Sequence, residues 1–205
     1  MGRPITTLIH LSGGQDSTYC LLNWLREHRD ETILVHHVEL RHQAENRLEH
    51  ERRAVKQIIN YLHIKGYSNL KYYDSVFSYG NLPRISIKDI QIVSLFTGII
   101  LRTPGFEDIR TIILPWHQGE VNADEINRGF RVKAMLRALE LDPDKYEFVF
   151  PVEHKTRAEM AADMPQELLR LCHCCRTPSN GYHCGKCKTC MELKEAGIWK
   201  HFNYR

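Results

Sequence analysis

Two groups of residues in this chain have the types and the spacing that chemistry requires. The first is Ser12-Gly13-Gly14-Gln15-Asp16-Ser17, set between an apolar run and an amphipathic one. Paired glycines let a backbone turn sharply and approach phosphate oxygens that a Cβ would obstruct. A helix that starts at such a turn aims unpaired N–H groups and the positive end of its dipole at an anion. Ser12 and Ser17 add hydroxyl donors, and Asp16 beside phosphates suits a carboxylate that helps hold Mg²⁺ or orders the loop. The ending lacks the Lys-Ser/Thr of a Walker motif, which argues against transfer of a γ-phosphate.

The second group is Cys175-x8-Cys184-x2-Cys187-x2-Cys190. Four thiolates suit tetrahedral Zn²⁺, and the Cys-Gly-Lys-Cys turn brings two sulfurs to one ion. With all four positions filled by protein, the site reads as structural and not as one that activates water. Cys172, His173 and Cys174 stand beside Cys175 as competing ligands. The chain has seven cysteines, an odd number. Cytosolic thiols stay reduced, so a metal site outranks a disulfide framework.

Strands and helices must position these groups. The pattern predicts a strand over 5–11 feeding a helix over 17–27, then a strand over 32–38. An amphipathic helix over 43–63 carries Ala44, Leu48, Val55, Ile58, Ile59 and Leu62 on one stripe. A short strand at 70–73 is followed by a polar loop through Pro83. A helix over 89–102 stops ahead of Pro104. A strand over 110–114, a helix over 124–139 and a strand at 148–150 complete the alternation, with helices at 156–164, 166–171 and 191–196 beyond. Strands alternating with helices predict a parallel sheet covered on both faces. Ligands of such sheets sit at the carboxyl ends of the strands, near the switch in strand order, where the glycine loop falls.

The composition is that of an ordinary globular protein: 205 residues, 42% hydrophobic, 26% charged, net charge +3. Mild basicity fits an anionic ligand such as ATP without calling for nucleic acid. The charges of 45–56 read as the solvated face of a helix. The apolar stretch 5–11 runs straight into the glycine loop, unlike a signal peptide. The stretch 92–101, interrupted by Ser94, Thr97 and Gly98, is too short to span a bilayer. A cytoplasmic protein without a membrane partner is expected. Polar residues at predicted strand ends are pocket candidates: His36, His37, Glu39, Trp116, His117, Gln118, Glu120, Asn122 and Asp124. Trp116 and Phe130 could stack on a flat base, while Glu120, Asn122 or Asp124 could pair with its edge. Arg84, Lys88, Lys155 and Arg157 are candidate partners for phosphate or carboxylate.

The loop looks like the Ser-Gly-Gly-x-Asp-Ser loop of the ATP-pyrophosphatase (PP-loop) family, whose members grip the β- and γ-phosphates as a leaving unit and transfer AMP to a substrate oxygen. With the cysteines added, the chain resembles the 7-cyano-7-deazaguanine synthases, the QueC family. His10-Leu11-Ser12-Gly13-Gly14-Gln15-Asp16-Ser17-Thr18, Arg41-His42-x-x-Glu45, Lys155-Thr156-Arg157-Ala158-Glu159-Met160 and the terminal Cys-Gly-x-Cys-x-x-Cys carry the likeness. The chain departs from the family in its middle. Val38-Glu39-Leu40 stands where the family has Tyr-Gly-Gln, Ile87-Lys88-Asp89 replaces a Pro-x-Arg-Asn turn, and the Pro-Asp-Cys-Arg segment that holds the base is absent.

The resemblance implies a Rossmann-like α/β fold of the adenine-nucleotide-hydrolase type, a doubly wound parallel sheet over 1–150 with a small helical zinc-binding segment over 151–205. It implies ATP contacts from Leu11, Ser12, Gly13, Gly14, Gln15, Asp16, Ser17, Thr18, Arg41, His42 and Lys88. Asp16, Ser17 and Lys155 become the catalytic candidates, and Cys175, Cys184, Cys187 and Cys190 the Zn²⁺ ligands. The implied reaction adenylates the carboxylate of a deazapurine with Mg²⁺ and ATP. Ammonia then gives the amide, and a second ATP gives the nitrile. No nucleic-acid partner is expected, and a homodimer is what the family suggests. The altered middle admits variants that stop at the amide or use another amine. A non-catalytic module that recognises nucleic acid is the alternative of a different class.

Overall fold

The computed structural model describes residues 3–41, 47–80, 88–116, 127–179 and 182–202. Its elements are β1 (Ile5–His10), α1 (Gln15–Glu27), β2 (Thr32–Arg41), α2 (Leu48–Ile64), β3 (Leu70–Ser78), α3 (Asp89–Leu101), β4 (Thr111–Ile113), α4 (Asn127–Ala138), β5 (Glu147–Val149), α5 (Arg157–Asp163), α6 (Gln166–Leu169) and α7 (Lys188–Glu195). The five strands form one sheet in the order β3-β2-β1-β4-β5, and every pair is parallel. Strand order reverses between β1 and β4, so the end of β1 is the switch point where such sheets open a crevice for ligands. The glycine loop begins there.

Helices cover both faces. Ile9, Ile33 and Val35 pack with Leu21, Leu22 and Leu25 of α1 and with Val55, Ile58 and Leu62 of α2. On the opposite face Ile112 and Leu114 pack with Val132 and Leu136 of α4, while Leu8 and Leu34 pack with Ile100 of α3. Gly98 leaves the space on α3 that the Leu139 side chain fills. The chain after β5 returns to the first face. Met160, Leu168, Leu169, Leu193, Ile198 and Phe202 join the α1–α2 core instead of building one of their own. Among the described residues no helix is long and apolar enough to cross a membrane.

Two strands are longer than the hydrophobic pattern predicts. β2 and β3 stay in register from Ile33↔Leu70 to Arg41↔Ser78. Sequence reasoning ends them at 38 and 73, where Glu39, Asp74 and Ser75 look like loop residues. His36, His37 and Glu39 on β2 are each buried and have a partner, so the ladder continues past 38. The start predicted for α2 at 43–46 lies outside the described residues, as do 124–126 ahead of α4. α7 begins at Lys188 behind Cys187, which places Cys190 within its first turn and not ahead of it.

Candidate functional site

Gly13 has φ +79°, a conformation that favours glycine, and an added Cβ would meet Ala54 Cβ at 3.1 Å and the Glu51 carbonyl at 3.2 Å. The loop can therefore press directly on α2. Gly14, at φ −82° and ψ 169°, is extended and precedes the first turn of α1. Ser12 Oγ accepts the Gly14 N–H at 3.3 Å and lies 3.0 Å from Ser17 Oγ, while Thr18 Oγ1 donates to the Gly14 carbonyl at 2.7 Å. Those bonds fold the loop around the amino end of α1, whose first N–H groups have no partner within the helix. A strand-end turn with a helix amino terminus and two adjacent hydroxyls can hold a phosphate group.

The root of the loop is held by histidines that sequence reasoning places in a pocket. His36 and His37 are each only 2% exposed, and they face into the protein. The Leu11 carbonyl only accepts, so the 2.8 Å contact means that His37 Nδ1–H donates to it. Thr97 spends its hydroxyl hydrogen on the Val93 carbonyl at 3.0 Å, so His10 Nε2–H donates to Thr97 Oγ1 at 2.8 Å. His10 Nδ1 then accepts from His36 Nδ1–H at 3.2 Å, and His36 Nε2 accepts from Ser75 at 2.9 Å. One proton order satisfies the whole chain, with both rings neutral. Burial drives this, holding His36 down to about 4 and His10 well below the usual range. Glu39 takes both of its oxygens to the Arg52 guanidinium, at 2.6 and 2.5 Å, which holds its carboxyl below the ordinary value.

Behind the loop lies the segment before the first cysteine ligand. His173 N–H donates to the Gly13 carbonyl at 2.8 Å, and Gln15 N–H donates to Cys174 Sγ at 3.4 Å. Burial pushes the Cys174 thiol up to about 12, so this sulfur is a neutral acceptor. Arg157, 8% exposed at its side chain, reaches Asp16 Oδ1 at 3.1 Å and Glu192 Oε2 at 3.3 Å. A reciprocal cap places it there: Thr156 Oγ1 accepts from Glu159 N–H while the Glu159 carboxylate accepts from Thr156 N–H, starting α5 at Arg157. The Gln15 side-chain amide donates to the Arg157 carbonyl at 2.7 Å. Lys155 lies beside α1, 3.2 Å from Asp163 and over the Tyr19 ring, while Tyr19 also donates to Asp163 at 2.9 Å.

The sulfurs of Cys175, Cys184, Cys187 and Cys190 lie within 4.8 Å of one another. Cys175 and Cys187 are 4.0 Å apart and Cys184 and Cys190 3.9 Å apart. Gly185, at φ +70°, makes the tight turn between Cys184 and Cys187. Cys184 N–H points at Cys175 Sγ at 3.2 Å and Cys187 N–H at Cys184 Sγ at 3.3 Å, donors that stabilise thiolates. The group can hold a metal ion. The other nearby thiols are directed elsewhere: Cys172 Sγ contacts the Leu168 carbonyl inside the core, and Cys174 faces the loop.

Arg41 and Lys88 are exposed at the end of β2 and the start of α3. Trp116 packs against Phe150 with ring centres 5.3 Å apart, and Phe130 is 64% exposed on α4. His42, Arg84, Glu120, Asn122 and Asp124 lie outside the described residues. Glu192 escaped sequence reasoning, which weighed Cys172, His173 and Cys174 only as rival metal ligands and not as supports of the loop. The capping pattern Thr-x-x-Glu at 156–159 was the one local sign that Arg157 opens a helix.

No protein-family model matches the chain, and no curated protein matches it either. Among solved structures it is similar to the U34-tRNA thiolase NcsA from Methanococcus maripaludis with its 4Fe-4S cluster, at a TM-score of 0.50 and 12% identity over 96% of this chain. The chain spans 64% of the length of that structure. At this identity the likeness establishes the shared α/β fold.

Proposed function

We propose that the protein is an ATP-dependent enzyme of the PP-loop type that adenylates a carboxylate and forms a C–N bond, as 7-cyano-7-deazaguanine synthases do. The loop at the switch point, closed on the amino end of α1, is the observation that carries this reading. A carboxylate oxygen of 7-carboxy-7-deazaguanine attacks the α-phosphorus of ATP. The bond to the bridging oxygen breaks, and pyrophosphate leaves with the electron pair, still held by the loop. Ammonia attacks the acyl carbon and expels AMP to give the amide. A second ATP activates the amide oxygen, whose loss with AMP leaves the nitrile. The chain contributes orientation and fixed dipoles at the departing pyrophosphate. Arg157 fixes the Asp16 carboxylate, which would help hold a divalent ion carried by the phosphates.

For the cysteine group we propose Zn²⁺. Sulfurs bound to one tetrahedral ion at about 2.3 Å lie about 3.8 Å apart. Two of the edges, 3.9 and 4.0 Å, match that value, and all four sulfurs lie within 4.8 Å of one another. In an iron–sulfur cube each thiolate binds a different iron, which spreads the sulfurs further. The ligand set leaves no open position, so the ion supplies structure and not a nucleophile.

One observation favours a second reading. Cys174 lies on the loop, where a thiol could carry sulfur to an adenylated base of tRNA. Its buried, neutral state opposes that role. Incubation with 7-carboxy-7-deazaguanine, ATP, Mg²⁺ and ammonium separates the two. AMP, pyrophosphate and a product of nitrile mass are expected, and a product of amide mass would place the end of the reaction one step earlier. Absence of AMP release with this substrate, together with AMP release on tRNA and a sulfur donor, would sink the ligase reading.

A further inference from the structure

The cysteine group and the glycine loop are joined by two routes, one through backbone and one through side chains. In the backbone route the segment ahead of Cys175 lies under the loop. His173 N–H holds the Gly13 carbonyl at 2.8 Å and Cys174 Sγ takes the Gln15 N–H at 3.4 Å, one on each side of Gly14. The cysteine turn holds this segment in return. Cys174 N–H donates to His183 Nε2 at 3.1 Å, next to Cys184, and His173 Nε2–H donates to the Cys175 carbonyl at 2.9 Å. The side-chain route starts on α7, which carries Cys190. Glu192, two residues on, meets Arg157 at 3.3 Å, and Arg157 meets Asp16 at 3.1 Å.

We infer that the metal-loaded cysteine group holds the loop in its anion-binding shape, with Glu192 and Arg157 as positioning residues for Asp16. Four sulfurs gathered on one ion fix the 172–175 segment and α7 relative to each other. Released from the ion, four crowded thiols add no attraction of their own, and only the core packing of Cys172 and Leu193 and the bond from Cys174 to His183 keep those two pieces together. The loop then loses the support of its Gly13 carbonyl, its Gln15 N–H and its aspartate at once. Glu192 acts by holding Arg157, a buried cation that would otherwise divide itself differently around Asp16.

This inference rests on the loop being the nucleotide site, and two readouts keep the two claims apart. The first is hydrogen exchange of the amides of residues 13–17, which needs no nucleotide. The second is the affinity for Mg²⁺ and α,β-methylene ATP, which the adenylating reaction cannot split. Both are measured on the full chain loaded with Zn²⁺, stripped by a chelator, and reloaded, and on zinc-loaded Glu192→Gln. Glu192→Gln keeps shape while removing the charge, and it should bind one Zn²⁺ as the parent does. Its loop amides should exchange faster, and its affinity for the analogue should fall roughly tenfold, within the range found for residues that couple two sites. Arg157→Lys, which keeps the charge but lacks the planar fork that spans the two carboxylates, should lie between parent and Glu192→Gln. Stripping should exceed both, and reloading should restore the parent values. Unchanged loop exchange in both the stripped protein and Glu192→Gln would overturn the inference. An analogue that never binds, with loop exchange still answering to Zn²⁺, would overturn the nucleotide reading and leave the mechanical coupling standing.

Discussion

Gly13 and Gly14 stand side by side in the loop, yet alanine should act on them through different physics. At Gly13 the backbone has φ +79°, and the new Cβ would lie 3.1 Å from Ala54 Cβ, 3.2 Å from Val55 Cγ2 and 3.2 Å from the Glu51 carbonyl. The left-handed backbone costs an L-residue about 1–2 kcal/mol. Overpacking against a helix whose carbonyl cannot retreat adds about 1–3 kcal/mol. Gly13→Ala should therefore lose about 2–5 kcal/mol of stability, a fall in Tm of roughly 4–20 °C for a chain of this size. Gly14 is extended, and its Cβ would find ordinary space except for Ser12 Oγ at 3.3 Å. Gly14→Ala should stay within about 1 kcal/mol of the parent. Its methyl group presses on the hydroxyl that accepts the Gly14 N–H and adjoins Ser17, so the affinity for α,β-methylene ATP should fall by roughly tenfold or more, the worth of one charge-assisted bond. Urea unfolding reads the first effect and titration calorimetry the second. Equal stability losses in the two variants, or a Gly13→Ala protein as stable as the parent, would refute the division of labour drawn between the two glycines.

Acid should destabilise the protein through its neutral histidines. Burial lowers the folded-state value of His36 to about 4, so between the unfolded value near 6.5 and that point the unfolded chain binds the proton that the native chain refuses. Stability is complete above this window and falls as pH drops through it, by on the order of 3 kcal/mol for this ring alone. Urea midpoints at pH 7, 6 and 5 should decline in the parent and decline less in His36→Gln; parallel profiles would count against the proton order assigned to the cluster. Glu39, 8% exposed at its side chain, depends on Arg52. Arg52→Met should lower the urea midpoint because it leaves the Glu39 carboxylate without its partner, and Glu39→Met with Arg52→Met should recover much of the loss. An unchanged midpoint for the single change would mark the pair as an ordinary surface contact.

The loop was legible in the sequence because its requirements are local. Two glycines, two hydroxyls, a strand before and a helix after are read within a dozen residues, and the parallel sheet follows from the same alternation. The cysteine spacing was legible for the same reason, since Gly185 sets the turn that brings Cys184 and Cys187 together. The lengths of β2 and β3 were not. Glu39 reads as a strand-ending polar residue until Arg52, 13 residues later, is seen to satisfy it. Sequence spacing also left Cys172, Cys174 and Cys175 as rivals. Their roles differ because His173 docks on Gly13, which turns Cys174 toward the loop and Cys175 toward the other three sulfurs. A contact spanning 160 positions has no local signature.

A phosphate site made of backbone N–H groups works only if those groups are aimed before the anion arrives, because reorienting them would consume the binding energy. A six-residue loop rich in glycine has the opposite tendency, since glycine gains the most freedom when released. The loop's own bonds, among Ser12, Gly14, Ser17 and Thr18, close a turn but do not anchor it to the fold. Anchoring comes from outside: His37 on the Leu11 carbonyl, the His36 carbonyl on the Leu11 N–H, α2 beneath Gly13, His173 on the Gly13 carbonyl and Cys174 on the Gln15 N–H. Three of these five come from β2 and α2, and two from the segment ahead of the cysteine group. The motif therefore supplies the turn, while rigidity belongs to the surrounding chain. That division explains why the C-terminal segment shares its core with α1 and α2: packed there, the cysteine group lies where it can brace the loop.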